Sequence, residues 1–269
     1  MQTDYILTGL SLGLILSSVG VILVLTDLVG SERVTDRDAL RIRLHQVLEK
    51  ANEDFHDDFV IPFQIVRGVD EFGAVLNDWR NSFRIVDHVF ESLLPFVYRF
   101  ALVEGELVNI EGGQIDQLDG EAVYIGSRLL EQMKEGYSGA RRKTKVEFIR
   151  LAISGIDYRR LSASLSESLS VRDSYLACVG FALHALENMV QVIWWLKTRW
   201  TEKQRKIICR YRELKNQHDV ARSLGISQST VSQTLRRADF DFVTRLEKFV
   251  NQGLMIVPRY MLDIPRWAV

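Results

Sequence analysis

Residues 216–238, NQHDVARSLGISQSTVSQTLRRA, have the spacing of two short helices joined by a sharp turn. Ala221 is small at a position where two helices must approach closely, and Gly225 can adopt the left-handed backbone conformation that the turn needs. Ser227 is a good N-cap for a second helix that begins at Gln228. The segment therefore predicts a helix-turn-helix. Apolar residues at helical spacing predict its small core: Val220, Leu224, Ile226, Val231 and Leu235.

The second helix of this unit, residues 228–237, carries amide, hydroxyl and cationic side chains on the positions that its core does not use. Amides and hydroxyls can exchange hydrogen bonds with base edges in the major groove, and arginine neutralises phosphates. The alternative is a helical hairpin used for protein contact, but such a hairpin has no reason to place these groups here instead of Glu and Lys. We predict that double-stranded DNA contacts these residues: Gln228, Ser229, Thr230, Ser232, Gln233, Arg236 and Arg237.

The charge distribution supports a nucleic-acid partner for this end of the chain. Residues 199–250 carry 12 Lys and Arg against 6 Asp and Glu, whereas residues 1–198 carry 20 against 28. The formal net charge of −1 therefore hides an acidic body joined to a basic segment. A basic segment attracts phosphate backbones in a salt-dependent way. We expect residues 199–248 to form a DNA-binding domain and the acidic body to stay off the DNA.

The N-terminal region contains 22 consecutive uncharged residues, from Tyr5 to Thr26. This run is long enough to cross a bilayer as a helix, and the arginines that follow it would hold the rest of the chain at the inner face of the cell membrane. The alternative interpretation is an apolar extension over residues 1–18 followed by a buried strand over Val19–Thr26. The two interpretations compete for the same residues, and both place the protein in the cytoplasm, anchored or not.

Periodicity over the next residues alternates between the strand and the helix pattern, which predicts an α+β domain over residues 19–136. A helical linker or dimerisation region is predicted over residues 146–198. Within it, the apolar helix 175–196 is our candidate for homodimer contact, because Lys197, Glu187 and His184 argue against lipid exposure. Cys178 and Cys209 lack metal-ligand spacing and are expected to be buried free thiols. Residues 249–269 form a tail with no predicted role.

Three short motifs in the first domain occur in the order and approximate spacing of a known family. They are TDLVGSER at Thr26–Arg33, GVDEFGAVL at Gly68–Leu76 and LDGEAVYIGSRLLEQMK at Leu118–Lys134. With WTEKQ at Trp200–Gln204 and the helix-turn-helix, the chain resembles the SatD-type family. The resemblance covers about residues 20–238 and implies a DNA-binding transcriptional regulator. The chain departs from the family pattern at two points. It lacks the Gly that precedes the Asp of the first motif, here Asp27, and it inserts Val69 between Gly68 and Asp70 of the second motif.

The same domain is similar to the palm-type core of nucleotide cyclases, which implies a ferredoxin-like sheet with helices on one face. The cyclase resemblance places one metal ligand at Asp27, a second at Asp70 or Glu71, and a nucleotide-binding group at Arg128. Tyr124 replaces the Asn that orients substrate in cyclases, and no phosphate-cradling glycine run is present. We therefore favour turn and cap roles for the two carboxylates and do not expect an enzyme. No cofactor is expected, and Mg²⁺ or Mn²⁺ with a nucleotide ligand follows only from the cyclase alternative.

Overall fold

One mixed sheet of five strands organises the N-terminal half of the protein in a computed structural model that describes residues 20–138, 146–153 and 171–262. The strand order is β2-β3-β1-β4-β5, in which β5 pairs parallel to β4 and the other neighbours pair antiparallel. Within the described ranges, the α-helices of this domain are α1 (Arg37–Asp54), α2 (Ser82–Leu93) and α3 (Glu121–Ser138). The strands are β1 (Ile22–Leu28), β2 (Phe59–Arg67), β3 (Glu71–Leu76), β4 (Tyr98–Glu104) and β5 (Ile149–Ile153).

The element order from β1 to β4 is βαββαβ, the connection of a ferredoxin-like unit, so the predicted α+β class is confirmed. Helices α1 and α2 pack on one face of the sheet, where Leu40 and Leu44 meet Ile22 and Val24. The expectation that all helices lie on that face is wrong for α3. This helix covers the opposite face, because its apolar side chains meet Leu23 and the neighbouring odd-numbered strand positions.

Strand β1 lies in the middle of the sheet between β3 and β4, and its residues Ile22, Leu23 and Val24 are fully buried. The prediction of one membrane helix over residues 5–26 is therefore wrong for its last turn and a half, and the alternative of a buried strand is confirmed there. A central strand buried on both faces reads as an unbroken apolar run, which sequence alone does not separate from a helix. The predicted extension 1–18 lies outside the described residues.

A long helix, α4 (Val171–Thr198), connects the sheet domain to the C-terminal helices. It packs beside β5, where the Gln191 side chain accepts from the Phe148 N–H at 2.8 Å and donates to the Ile149 carbonyl at 2.8 Å. Its segment Ala177–Thr198 is the single helix in the described ranges with the length and hydropathy of a membrane span, and it is partly buried inside the protein. Because Glu187 and Lys197 on this helix are buried, the helix packs as part of the protein core.

Four further helices follow α4: α5 (Glu202–Leu214), α6 (Gln217–Leu224), α7 (Gln228–Arg237) and α8 (Phe240–Leu262). Helix α8 packs along α4, with Gly253 of α8 against the Leu186 side chain. It runs through residues 248 and 249, so no structural boundary separates the predicted DNA-binding domain from the start of the predicted tail. The two cysteines are exposed, which corrects the expectation that they are buried.

Candidate nucleic-acid interface

The turn between α6 and α7 has the local geometry that the sequence predicts. The Asn216 side chain caps α6 by accepting a hydrogen bond from the His218 N–H at 2.8 Å. Gly225 ends the helix with φ 63°, a conformation in which a side chain would be strained. Ser227 then caps α7, and its Oγ accepts from the Thr230 N–H at 3.1 Å. These caps fix where both helices begin and therefore which side chains of α7 face outward.

The core that holds α5, α6 and α7 together is small and apolar. Leu224 and Ile226 are partly buried against it. Trp200, immediately before α5, closes the unit, since its indole N–H donates to the Ala238 carbonyl at 2.9 Å. The core predicted from the spacing is thus present, and α5 adds to it. Its buried members are Ile207, Ile208, Val220, Ala221, Val231 and Leu235.

Helix α7 presents one polar face to solvent. Ser229, Ser232, Gln233, Arg236 and Arg237 are exposed, and none of these five makes an ion pair with another residue in the part of the chain that the structure describes. They recur at intervals of three and four residues, which is the spacing of one helix face. This face offers hydroxyl, amide and guanidinium donors together, the groups that read base edges and bind phosphates.

The other two predicted contact residues are partly engaged within the protein. Gln228 donates to the Gln217 Oε1 at 2.6 Å, which ties the start of α7 to the start of α6. The Thr230 hydroxyl lies 2.8 Å from the Ser227 Oγ in the capping turn. Both side chains are only partly exposed. The Ser229 hydroxyl, although exposed, also lies 2.8 Å from the Ser227 Oγ. The outward set that takes no part in the turn is therefore Ser232, Gln233, Arg236 and Arg237.

A buried ion cluster anchors the helix-turn-helix to the sheet domain. The Lys197 ammonium, fully buried at the end of α4, lies 2.7 Å from Asp87, 2.9 Å from Glu91 and 2.7 Å from Glu247. Arg212 of α5 bonds to Glu91 at 2.7 Å and to Glu247 at 2.9 Å. Four helices, α2, α4, α5 and α8, thus contribute one charged group or more to the same cluster.

The cluster shifts the pKa values of its members in opposite directions. Burial alone would raise the pKa of Glu91, but Lys197 and Arg212 outweigh it and lower that pKa to about 2. Burial raises the pKa of Asp87 in spite of Lys197. The carboxylate oxygens of Asp87, Glu91 and Glu247 lie within 4.8 Å of one another, close enough for a metal ion, yet the lysine ammonium already bonds to all three.

Asp27, proposed from the cyclase resemblance as a metal ligand, has both carboxylate oxygens bound to cations of the protein. Arg99 Nη1 lies 2.8 Å from its Oδ2, and Lys134 Nζ, from α3, lies 2.7 Å from its Oδ1. Asp27 and Arg99 are buried, and they are paired in register on β1 and β4. The pairing supports a structural role for Asp27, joining the sheet to α3.

Asp70, the other proposed ligand, has a protein cation of its own. Its Oδ2 lies 2.7 Å from the Arg37 guanidinium of α1, whereas Asp27 is bound by Arg99 and Lys134. The two carboxylates are therefore held by different cations of the protein. Arg128, the predicted nucleotide-binding residue, is exposed on α3. The sequence did not indicate the ion cluster around Lys197, because its members are far apart along the chain.

Comparison with known protein families assigns both parts of the chain. Residues 21–136 match the SatD family, and residues 200–238 match sigma-70, region 4. The chain carries a SatD family domain. The sigma-70 region 4 match covers α5, α6 and α7, so these helices form a helix-turn-helix of DNA-binding type, as the sequence predicts. No curated protein and no solved structure gives a significant match to the chain.

Proposed function

We propose that the protein is a DNA-binding transcriptional regulator that reads a major groove with α7 and uses its SatD domain for dimerisation or signal input. The observation that carries the proposal is the outward face of α7, with Ser232, Gln233 and Arg236 exposed in a unit that matches sigma-70, region 4. Base edges in the major groove accept hydrogen bonds from such side chains. The surplus of cations over residues 199–250 adds attraction to the phosphate backbone.

Selection from a random double-stranded DNA library tests the proposal directly. The full chain, incubated with the library at moderate salt, should enrich a common short sequence over successive rounds. The same selection with Gln233→Ala should enrich a less defined sequence, because one base contact is lost while the phosphate contacts remain. Recovery of no common sequence from the full chain, with the protein folded, would contradict the proposal.

Homodimerisation through α4 is the second part of the proposal. One side of α4 carries residues spaced alternately three and four apart, which is the spacing of a helix side that packs against a second helix. We call this side the seam. Phe181 is 74% exposed and Val192 is 44% exposed, both large apolar side chains on a helix whose other side is buried. A dimer would present two α7 helices to DNA, which raises specificity over a single helix. The seam comprises Cys178, Phe181, Ala185, Asn188 and Val192.

If two copies of the protein associate through this seam, charged substitutions in the seam should lower the mass of the particle in solution. We expect the double substitution Phe181→Glu and Val192→Glu to convert a dimer into a monomer in sedimentation velocity, since two carboxylates would face their copies across an apolar contact. Ile42→Glu is the matched control, because Ile42 is 59% exposed on α1, away from the seam. A monomeric parent protein, or a dimer that survives the double substitution, would refute the assignment.

A further inference from the structure

A cleft of about 1310 Å³ lies between the SatD domain and the helix-turn-helix. Helices α1 and α2 form one wall, and α5 with the start of α8 forms the other. This volume is more than enough for a small molecule, since small-molecule sites usually measure about 300–1,000 Å³. Lys197 and Arg212 hold three of the acidic groups that line the cleft, Asp87, Glu91 and Glu247, in ion pairs. Asp54 pairs with Lys50, and Glu202 lines the cleft on the same helix as Arg205.

Two guanidinium groups line this cleft from opposite walls. Arg43 of α1 donates from Nε and Nη2 to the Ser92 carbonyl, at 3.0 and 2.8 Å, and Arg205 of α5 donates from Nη1 to the Trp200 carbonyl at 2.6 Å. Burial, and then the charge of Arg205, lowers the pKa of Arg43, while Glu202 raises it. Neither guanidinium has a carboxylate within ion-pair distance among the described residues, so part of their donor capacity is unused.

The remaining walls add cations and an apolar surface. Lys206, in the first half of α5, and Lys215, at its C-cap, also line the cleft, and neither makes an ion pair in the described part of the protein. Phe55, Leu94 and Phe240 supply apolar surface between the charged groups. A concave site with an apolar wall and a few converging polar groups is the usual form of a small-molecule site.

We propose that this cleft binds a small phosphorylated molecule, whose phosphate or pyrophosphate group lies between Arg43 and Arg205. Guanidinium groups match phosphate oxygens in geometry and charge, and an anion between them would replace their mutual repulsion with attraction. The ligand would then contact both the SatD domain and the helix-turn-helix. It would supply the signal input of the regulator, a consequence that rests on the proposed function, whereas the binding itself does not.

Calorimetric titration of the full chain with inorganic pyrophosphate, at low chloride and without DNA, tests the site. Arg43→Gln and Arg205→Gln should each weaken binding by about tenfold, the loss of roughly 1.4 kcal/mol of interaction. Lys206→Gln, an exposed position that leaves the fold intact, should weaken it by a smaller factor. Lys203→Gln is the matched control, since Lys203 is exposed on the same helix but does not line the cleft.

The outcomes separate this site from the DNA-binding proposal. Binding of pyrophosphate that falls in Arg43→Gln and Arg205→Gln but not in Lys203→Gln supports the site, whether or not the chain binds DNA. Absence of pyrophosphate binding to the parent protein overturns it, as does equal binding in all variants. If both arginine variants lose DNA affinity while pyrophosphate does not bind, the two guanidiniums contact the DNA backbone instead, and the site is again refuted.

Discussion

Replacing Lys197 with methionine should lower the free energy of unfolding by about 3–5 kcal/mol, the cost of removing one partner from a buried ion pair. Lys197 is fully buried, and its ammonium bonds to Asp87, Glu91 and Glu247. Without it, Arg212 is the remaining cation bonded to this cluster among the described residues. Urea denaturation followed by circular dichroism measures the change, with Lys203→Met, at an exposed position of α5, as the control.

The pH dependence of this loss follows from the direction of the pKa shifts. In the parent protein the pKa of Glu91 is lowered from 4.5 to about 2, so its contribution is full above the unfolded pKa and is lost as pH falls through that window. In Lys197→Met the carboxylates of Asp87, Glu91 and Glu247 repel one another, and protonation at lower pH removes part of that repulsion. The stability gap between parent and variant should therefore be narrower at about pH 4.5 than at about pH 7. If the free energies of unfolding of the parent protein and Lys197→Met differ by less than about 1 kcal/mol at neutral pH, the ion cluster does not stabilise the packing of these helices.

Local signals predicted the α+β pattern of the first domain and the two helices on either side of Gly225, because caps and periodicity act over a few residues. Asp36 precedes α1, and its side chain accepts from the Ala39 N–H at 2.8 Å, a capping bond that spans three residues. The turn at Gly225 and the cap at Ser227 were predicted for the same reason. The sequence did not predict the structure where one local pattern fits two structures. At β1 the apolar residues suit a membrane helix and a strand buried on both faces equally.

Long-range pairing is the part that the sequence did not reveal. Lys197 and Asp87 are 110 residues apart, and each is an ordinary charged residue in its own helix. Asp27 was a candidate metal ligand because the sequence places it after a predicted strand. In the structure it lies within β1, and Arg99 and Lys134 reach it only once β4 and α3 have packed beside that strand. The register of the sheet decides such contacts, and no local propensity encodes it. The outward face of α7 was predictable because one helix alone defines it.

Substituting both Arg236 and Arg237 with alanine should weaken DNA binding by roughly 10- to 100-fold, since each lost charged contact is worth about 1.4 kcal/mol or less. Both side chains are exposed at the end of α7. The loss should be similar for all DNA sequences, and the salt dependence of binding should become shallower by about 0.9 for each phosphate contact removed. Fluorescence anisotropy over a range of salt concentrations measures both quantities.

The control variant is Arg128→Ala, which removes the same charge from an exposed position on α3 of the SatD domain. If net charge alone governed binding, this control would weaken it as much as either single arginine variant of α7 does. Gln233→Ala should instead reduce the preference for one sequence by about 1–3 kcal/mol with little change in the salt dependence, because a base contact carries sequence information and a phosphate contact does not. Unchanged affinity and salt dependence in the Arg236 and Arg237 double variant would mean that α7 does not face the duplex.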